Sequence, residues 1–245
     1  MRARRKEAKN PLMTNSRWLA AASAVAALAA CSCSSRQIEL RTALVPSRAA
    51  EMAAAHGLID VRTFAPDIAV DLRYATPFNV ARRPLYPPDM PCLLRTGTAV
   101  KLKKAQALLR AKGCGLRIWD AWRPPEVQLI LVAEEGNTGL FMDPKSSWSR
   151  HCSGAAVDVT LIDSRGVEQE MPTYHDEGGP AASYQYTGHS AKVRRNLHLL
   201  QGAMFDAGFQ LLDTEWWHFD DAGHYLSPPP VVFGSAVGIH VSRPE

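Results

Sequence analysis

The sequence predicts a single domain that combines α-helices with a β-sheet. About 215 of the 245 residues follow an N-terminal leader, a length that suits one domain with a well-formed core. Apolar residues recur at helical spacing in three segments, 98–112, 126–134 and 190–207. Short extended segments, alternating in polarity or rich in β-branched and aromatic residues, occupy 68–72, 116–119, 155–161, 209–212 and 215–219.

The N-terminus has the pattern of a secretory leader. Six Lys or Arg residues within 1–18 precede an apolar run at 19–30, which is too short to span a bilayer as a mature helix. The run ends in Leu-Ala-Ala-Cys, which is typical of a bacterial lipoprotein cleavage site with Cys31 as the lipidated residue. The alternative is an ordinary signal peptide with an incidental cysteine. We therefore expect a lipoprotein signal peptide at 1–30, a lipidated tether at 31–57 that leads into a short helical stretch, and one folded domain at 58–245.

The formal net charge of +4 comes from this leader. Residues 1–30 carry six positive charges and one negative charge, so the mature chain is near −1. The calculated basicity therefore gives no reason to expect nucleic acid as a partner, and no protein partner is implied. The lipid would anchor the chain to a membrane of the cell envelope, facing the periplasm. Ser32 follows the cysteine without an acidic retention signal, which favours the outer membrane over the inner membrane.

The first predicted strand, 68–72, alternates between apolar and polar residues. The irregular connection after it, 73–91, contains five prolines together with Tyr74 and Tyr86. Connections of this length in a compact domain are often functional.

The long helix at 98–112 has recognisable ends, with Thr98 as its predicted N-cap and Gly113 as its stop. The strand at 116–119 then runs into Asp-Ala-Trp-Arg-Pro. Because proline disfavours helical backbone in the residue before it, Arg123 is expected at a strand end or turn. By position alone, an arginine there is a surface charge or a salt-bridge partner.

Residues 149–158 carry the strongest chemical signal. His151 and Asp158 are residue types that bind zinc, and Gly154 allows the backbone to turn between them. The strand that follows places Asp158 on the less apolar of its two faces. We therefore expect its carboxylate to point into a cavity.

A second cluster, Glu215-Trp216-Trp217-His218, lies near the C-terminus. His151, Asp158 and His218 would make three protein ligands and leave a position for water, as catalytic zinc sites do, with Glu215 free to act as a base. On a regular strand, residues three apart face opposite sides. Glu215 and His218 can therefore act at one site only if the segment bends or bulges, or if Glu215 lies just before the strand.

Four cysteines remain after Cys31. Cys92 and Cys114 flank one predicted helix and could be bridged in an oxidising compartment, although the sequence does not establish their distance. Cys152 lies beside His151 and is the candidate for a fourth ligand, which would make the zinc structural instead of catalytic.

The pattern Ser-x-His-x-x-Gly-x-Ala-x-Asp followed by Glu-x-Trp-His resembles the zinc D-alanyl-D-alanine dipeptidases. This family includes the vancomycin-resistance enzyme and belongs to a wider group of D,D-peptidases. The Trp-Arg-Pro at 122–124 and the Tyr-Ala-Thr at 74–76 are more specific to the dipeptidase branch. The resemblance extends from about residue 60 to 226. It implies an α+β fold in which a mostly antiparallel sheet carries the metal and helices pack against it.

By this resemblance, one zinc ion is bound by His151, Asp158 and His218. Glu215 is the catalytic base, Arg123 stabilises the oxyanion, and the reaction is zinc-dependent hydrolysis of D-alanyl-D-alanine. The residues that the resemblance places in the dipeptide pocket are Asp176, which would hold the substrate ammonium group, Ser149, Tyr74 and Tyr86.

Two other functions fit the same motifs. A zinc D,D-carboxypeptidase or endopeptidase acting on peptidoglycan stem peptides would share the metal site but need an open cleft. A non-catalytic cell-wall-binding lipoprotein would keep the fold without the chemistry, and the presence of Glu215 and Arg123 argues against it.

Overall fold

The computed structural model describes residues 47–134 and 139–241, which all fall within one compact unit. The predicted signal peptide, Cys31 and most of the predicted tether lie outside the described residues. Within the described ranges, no helix has the length and apolar character needed to cross a membrane.

The described residues contain helices and strands in a mixed order, as expected. The helices are α1 (Arg48–Ala54), α2 (Val61–Phe64), α3 (Thr96–Arg110), α4 (Pro125–Glu134) and α5 (Ala191–Ala207). The strands are β1 (Leu58–Asp60), β2 (Ala69–Val70), β3 (Leu93–Arg95), β4 (Cys114–Asp120), β5 (Ala156–Asp163), β6 (Phe209–Leu212) and β7 (Glu215–Asp221).

The main sheet has the strand order β2-β4-β5-β7-β6. Its strand pairs are antiparallel except for β2 and β4, and β1 and β3 form a separate antiparallel pair. The prediction of an α+β domain with a mostly antiparallel sheet is therefore confirmed. Strand β5 lies between β4 and β7, and all its residues before Asp163 are buried. It also carries Asp158, so this strand positions the candidate site.

The helices α3 and α5 pack against each other and against the sheet. Val157, Val159 and Leu161 of β5 belong to the hydrophobic core, whereas Asp158 lies between two of them and so projects from the opposite face. The helical residues expected in the core are buried, namely Leu102, Ala105 and Leu109 of α3 and Leu197, Leu200 and Met204 of α5.

The predicted N-cap of the long helix is wrong. The helix starts at Thr96, directly after β3, with Arg95 at the capping position and no side-chain cap. Thr98 lies in the first turn and donates its hydroxyl to Asp221 Oδ2 at 2.7 Å. The pairing of β3 with β1 determines where this helix begins, and local sequence does not reveal that pairing.

Cys92 and Cys114 are free thiols, so the disulfide considered for them does not form. The two residues lie beyond opposite ends of α3, and a helix of 15 residues is about 22 Å long. A disulfide needs Cα atoms within about 7 Å of each other.

Gly154 has a backbone that other residues adopt only at a cost, with φ of 75° at the end of the turn Arg150–Ser153. A Cβ there would also lie 2.5 Å from Leu58 Cδ2. We expect Gly154→Ala to lose more than about 2 kcal/mol in free energy of unfolding, because the conformational and steric penalties add. Gly113→Ala is the matched control, since φ is 74° and the space around it is open. Equal losses of the two variants in urea unfolding would contradict the steric contribution.

Candidate metal and active site

His151, Asp158 and His218 bring three ligand atoms together in the protein interior. His151 Nε2 lies 3.2 Å from Asp158 Oδ1 and 3.1 Å from His218 Nδ1, and the last two atoms are 3.1 Å apart. Ligands at the usual zinc distances in a tetrahedron are about 3.3 Å from one another. Two imidazole nitrogens and one carboxylate oxygen, in a triangle of nearly this size, fit a metal site with three protein ligands.

The fold explains how these residues meet. Asp158 of β5 and His218 of β7 are directly opposite each other in the antiparallel ladder. His151 comes from the short turn before β5, and the hydroxyl of Ser149 accepts a hydrogen bond from the His151 backbone N–H at 3.3 Å. The left-handed Gly154 then reverses the chain into β5.

An irregularity in β7 resolves the spacing of Glu215 and His218. Leu211 of β6 pairs with Phe219, but the next residue, Leu212, pairs with Glu215. One step along β6 therefore corresponds to four residues of β7, which is an irregularity in the pairing. The expected interruption of the strand is therefore confirmed. It removes the strict alternation that would otherwise turn Glu215 and His218 to opposite faces.

Glu215 is electrostatically part of this site. Burial raises the pKa of its carboxyl group to about 7, and the charges of His218, Asp158 and Arg123 act on it. A carboxyl group with a pKa near neutrality can both accept and release a proton under physiological conditions.

Each histidine of the triangle has its other ring nitrogen held. His151 Nδ1 is 2.7 Å from the carbonyl oxygen of Ala121, and His218 Nε2 is 3.0 Å from Asp220 Oδ1. Such outer contacts orient metal-binding histidines and fix their tautomers. Sequence reasoning missed Asp220, although its place two residues after His218 on the same strand was an available signal.

The environment of Asp158 favours its ionised form. Burial by itself would raise the pKa of Asp158, but the charge and hydrogen bond of His151, with hydrogen bonds from His175 and His218, hold it well below the usual value. An ionised carboxylate is the form that binds a metal.

Arg123 lies between β4 and α4, at the strand end where it was expected, and its side chain is buried. Its Nε and Nη2 lie 2.9 and 2.8 Å from Asp120 Oδ2, and its Nη1 donates to Gln128 Oε1 at 2.8 Å. Nη2 also approaches Asp158 Oδ2 at 3.8 Å. The guanidinium group is therefore held rigidly beside the metal triangle. Asp120 and Gln128 were not singled out in the sequence.

The four predicted pocket residues divide into two pairs. Tyr74 donates its hydroxyl to Asp176 Oδ1 at 3.1 Å, which places both residues on one side of the site. Tyr86 donates its hydroxyl to Asp120 at 2.6 Å, behind Arg123, and Ser149 caps the turn that holds His151. The hydroxyls of the second pair are thus used within the protein.

His175 contacts the site directly, although the sequence suggested no role for it. Its Nε2 lies 3.1 Å from Asp158 Oδ2, the oxygen that faces away from the two histidine ligands. His175 and Asp176 also line a cavity of about 1230 Å³, together with Trp119 and Thr160.

Cys152 is not part of the metal triangle. Among the described residues, the cluster that can hold the metal contains only the two histidines and the aspartate. The alternative of a structural site with Cys152 as a fourth ligand is therefore not supported.

A family model described as D-ala-D-ala dipeptidase matches residues 54–233. The chain belongs to this family. Family membership makes the protein a metallopeptidase, and the described His/Asp triangle is its candidate metal site.

Three curated relatives are each named D-alanyl-D-alanine dipeptidase. The protein of Escherichia coli (strain K12) is 29% identical over 163 residues, which cover 66% of this chain and 83% of the relative. The Enterococcus faecium protein is 27% identical over 169 residues, which cover 61% and 83%. The Synechocystis protein is 28% identical over 171 residues, which cover 53% and 69%.

Proposed function

We propose that the protein is a zinc-dependent D-alanyl-D-alanine dipeptidase with zinc bound by His151, Asp158 and His218. The observation that carries the proposal is the buried triangle of two nitrogens and one oxygen. The charges of His218 and Asp158 also act on the carboxyl group of Glu215. Three protein ligands leave a coordination position for water, which a hydrolase needs.

When bound, zinc supplies Lewis-acid chemistry, because it lowers the pKa of a bound water and polarises a carbonyl group. Glu215 accepts the proton of the attacking water and passes it to the leaving amine, for which its pKa of about 7 is suited. Arg123 stabilises the negative charge that develops on the carbonyl oxygen. One such donor is typically worth about 3–4 kcal/mol.

The buried polar groups beside the metal triangle support a small, free dipeptide as the substrate. Tyr74 and Arg123 are buried, and so is the carboxylate of Asp176, which supplies negative charge for an ammonium group. A carboxypeptidase or endopeptidase that acts on stem peptides would need an open cleft past these side chains.

The decisive experiment is release of D-alanine from free D-alanyl-D-alanine, with and without a chelator. We expect chelation to abolish release and about one equivalent of zinc to restore it. Equal hydrolysis of N-acetylated or longer peptides would favour the D,D-carboxypeptidase function instead. A zinc-loaded protein inert on all these peptides would favour the cell-wall-binding lipoprotein.

We also propose that Cys31 carries lipid and anchors the protein in the cell envelope, facing the periplasm and with the outer membrane favoured. The support is the basic leader, its apolar run and the Leu-Ala-Ala-Cys box. Cys31→Ser is expected to release the protein from the membrane fraction or to block processing. Cys33→Ser is the matched control and should remain membrane-bound. Fractionation and mass spectrometry check this, and unlipidated wild-type protein in the soluble fraction would refute it.

A further inference from the structure

The two histidines of the metal triangle are held from behind in different ways. His151 Nδ1 lies against a main-chain oxygen, the carbonyl of Ala121, which the fold itself keeps in place. His218 Nε2 lies against a side chain, the carboxylate of Asp220, at 3.0 Å. A side chain can rotate about its bonds, so the orientation of the His218 ring depends on what fixes Asp220.

Arg150 is the residue that fixes Asp220. Its Nη1 lies 3.3 Å from Asp220 Oδ2, whereas Asp220 Oδ1 faces His218. The two oxygens of one carboxylate are therefore divided between the guanidinium group and the imidazole ring. Among residues 47–134 and 139–241, Arg150 is the only Lys or Arg that forms an ion pair with Asp220. The side chain of Asp220 is only 8% exposed, so water competes little for this contact.

The guanidinium group of Arg150 is itself held in place. Its Nη2 donates a hydrogen bond to the carbonyl oxygen of Tyr225 at 2.8 Å, and its central carbon lies 4.4 Å from the centre of the Tyr225 ring. The backbone carbonyl of Arg150 accepts hydrogen bonds from the Ser153 hydroxyl and the Ala155 N–H, which closes the turn. A planar group with several donors suits contacts on two sides, whereas a lysine ammonium is a point charge.

Arg150 also lies directly before His151 in the turn Arg150–Ser153. One residue is therefore joined to both histidines of the triangle, to His151 through the backbone and to His218 through Asp220. We propose that Arg150 is a positioning residue of the metal site, which holds Asp220 against His218 and so increases the affinity for zinc. The inference rests on the proposed zinc function and deepens it.

A double-mutant cycle tests whether Arg150 acts through Asp220. The proteins are the wild type, Arg150→Gln, Asp220→Ala and the double variant, and competition with a chelator measures the zinc dissociation constant of each. We expect Arg150→Gln to raise this constant about tenfold, the lower end of the range for outer contacts of metal ligands. In the Asp220→Ala background the same substitution should change it less than about twofold, because coupled residues are not additive.

A second readout separates positioning from stability. Cobalt(II) bound in place of zinc has a visible absorption spectrum that depends on the geometry of its ligands, and Arg150→Gln should shift that spectrum. Arg150→Lys keeps the positive charge and should keep the zinc dissociation constant closer to the wild-type value. It also preserves the test if Arg150→Gln does not fold.

Arg95→Gln is the matched control. The Nε of Arg95 donates to the carbonyl oxygen of Ser153 at 2.7 Å, so this arginine supports the same turn without being the partner of Asp220. We expect Arg95→Gln to lower the midpoint of thermal unfolding and to leave the cobalt spectrum unshifted. An equal shift in both variants would show that Arg150 supports only the turn, which overturns the inference.

The remaining outcomes distinguish this inference from the proposed function. If Arg150→Gln has an unchanged zinc dissociation constant and cobalt spectrum, the positioning role is wrong and the zinc dipeptidase function stands. Equal losses of zinc affinity with and without Asp220 would show that Arg150 does not act through that carboxylate, and would also overturn the role. A wild type that binds no zinc overturns both the inference and the proposed function.

Discussion

Glu215→Gln is expected to keep its zinc near one equivalent and to lose several orders of magnitude in turnover. The amide has nearly the same size as the carboxylate but cannot accept the proton of the attacking water. A single general base contributes about 10²- to 10⁴-fold, and both proton transfers pass through this residue. Metal analysis and steady-state D-alanine release, measured on the same preparation, check the two parts of the prediction.

Glu51→Gln makes the same chemical change at an exposed position of α1 and should leave both quantities unaltered. Loss of zinc in Glu215→Gln would make Glu215 a metal ligand, and another residue would have to be the base. Retention of zinc with near-normal turnover would contradict the hydrolytic mechanism. Unfolding is not expected to explain a loss, because the substitution removes a buried carboxyl group whose ionisation burial disfavours.

His151→Ala is expected to lose most of the bound metal and the activity together. Its Nε2 is one corner of the triangle, and two remaining protein ligands do not make the three-ligand site that catalytic zinc requires. Atomic absorption after equilibration with limiting zinc measures the occupancy, and D-alanine release measures the activity.

His198→Ala is the control for this experiment, since that histidine lies exposed on α5. It should bind zinc and turn over dipeptide like the wild type. Full zinc occupancy in His151→Ala would overturn the ligand assignment. A circular dichroism spectrum close to that of the wild type is needed in either case, because the imidazole also contacts the carbonyl of Ala121.

Local sequence was enough to single out both groups of candidate site residues, His151 with Asp158 and Glu215 with His218. His151, Gly154 and Asp158 lie within eight residues, so turn and strand rules were enough to suggest two candidate ligands and a carboxylate of Asp158 that faces a cavity. The spacing of Glu215 and His218 even required a break in β7, which the structure contains. Periodicity identified α3, α4 and α5 for the same reason, because an amphipathic face is a property of one continuous segment.

Only the tertiary structure decided which distant groups support these residues. The ladder between β5 and β7 sets Asp158 against His218, and the end of β4 brings Asp120 to Arg123 and Tyr86. His175 reaches Asp158 from a loop that carries no periodic pattern. The sequence determined the element types and most of the chemical groups, since these depend on neighbours along the chain. Strand register and loop packing decided the start of α3, the separation of the cysteines and the surroundings of the metal triangle, because those contacts join residues far apart in sequence.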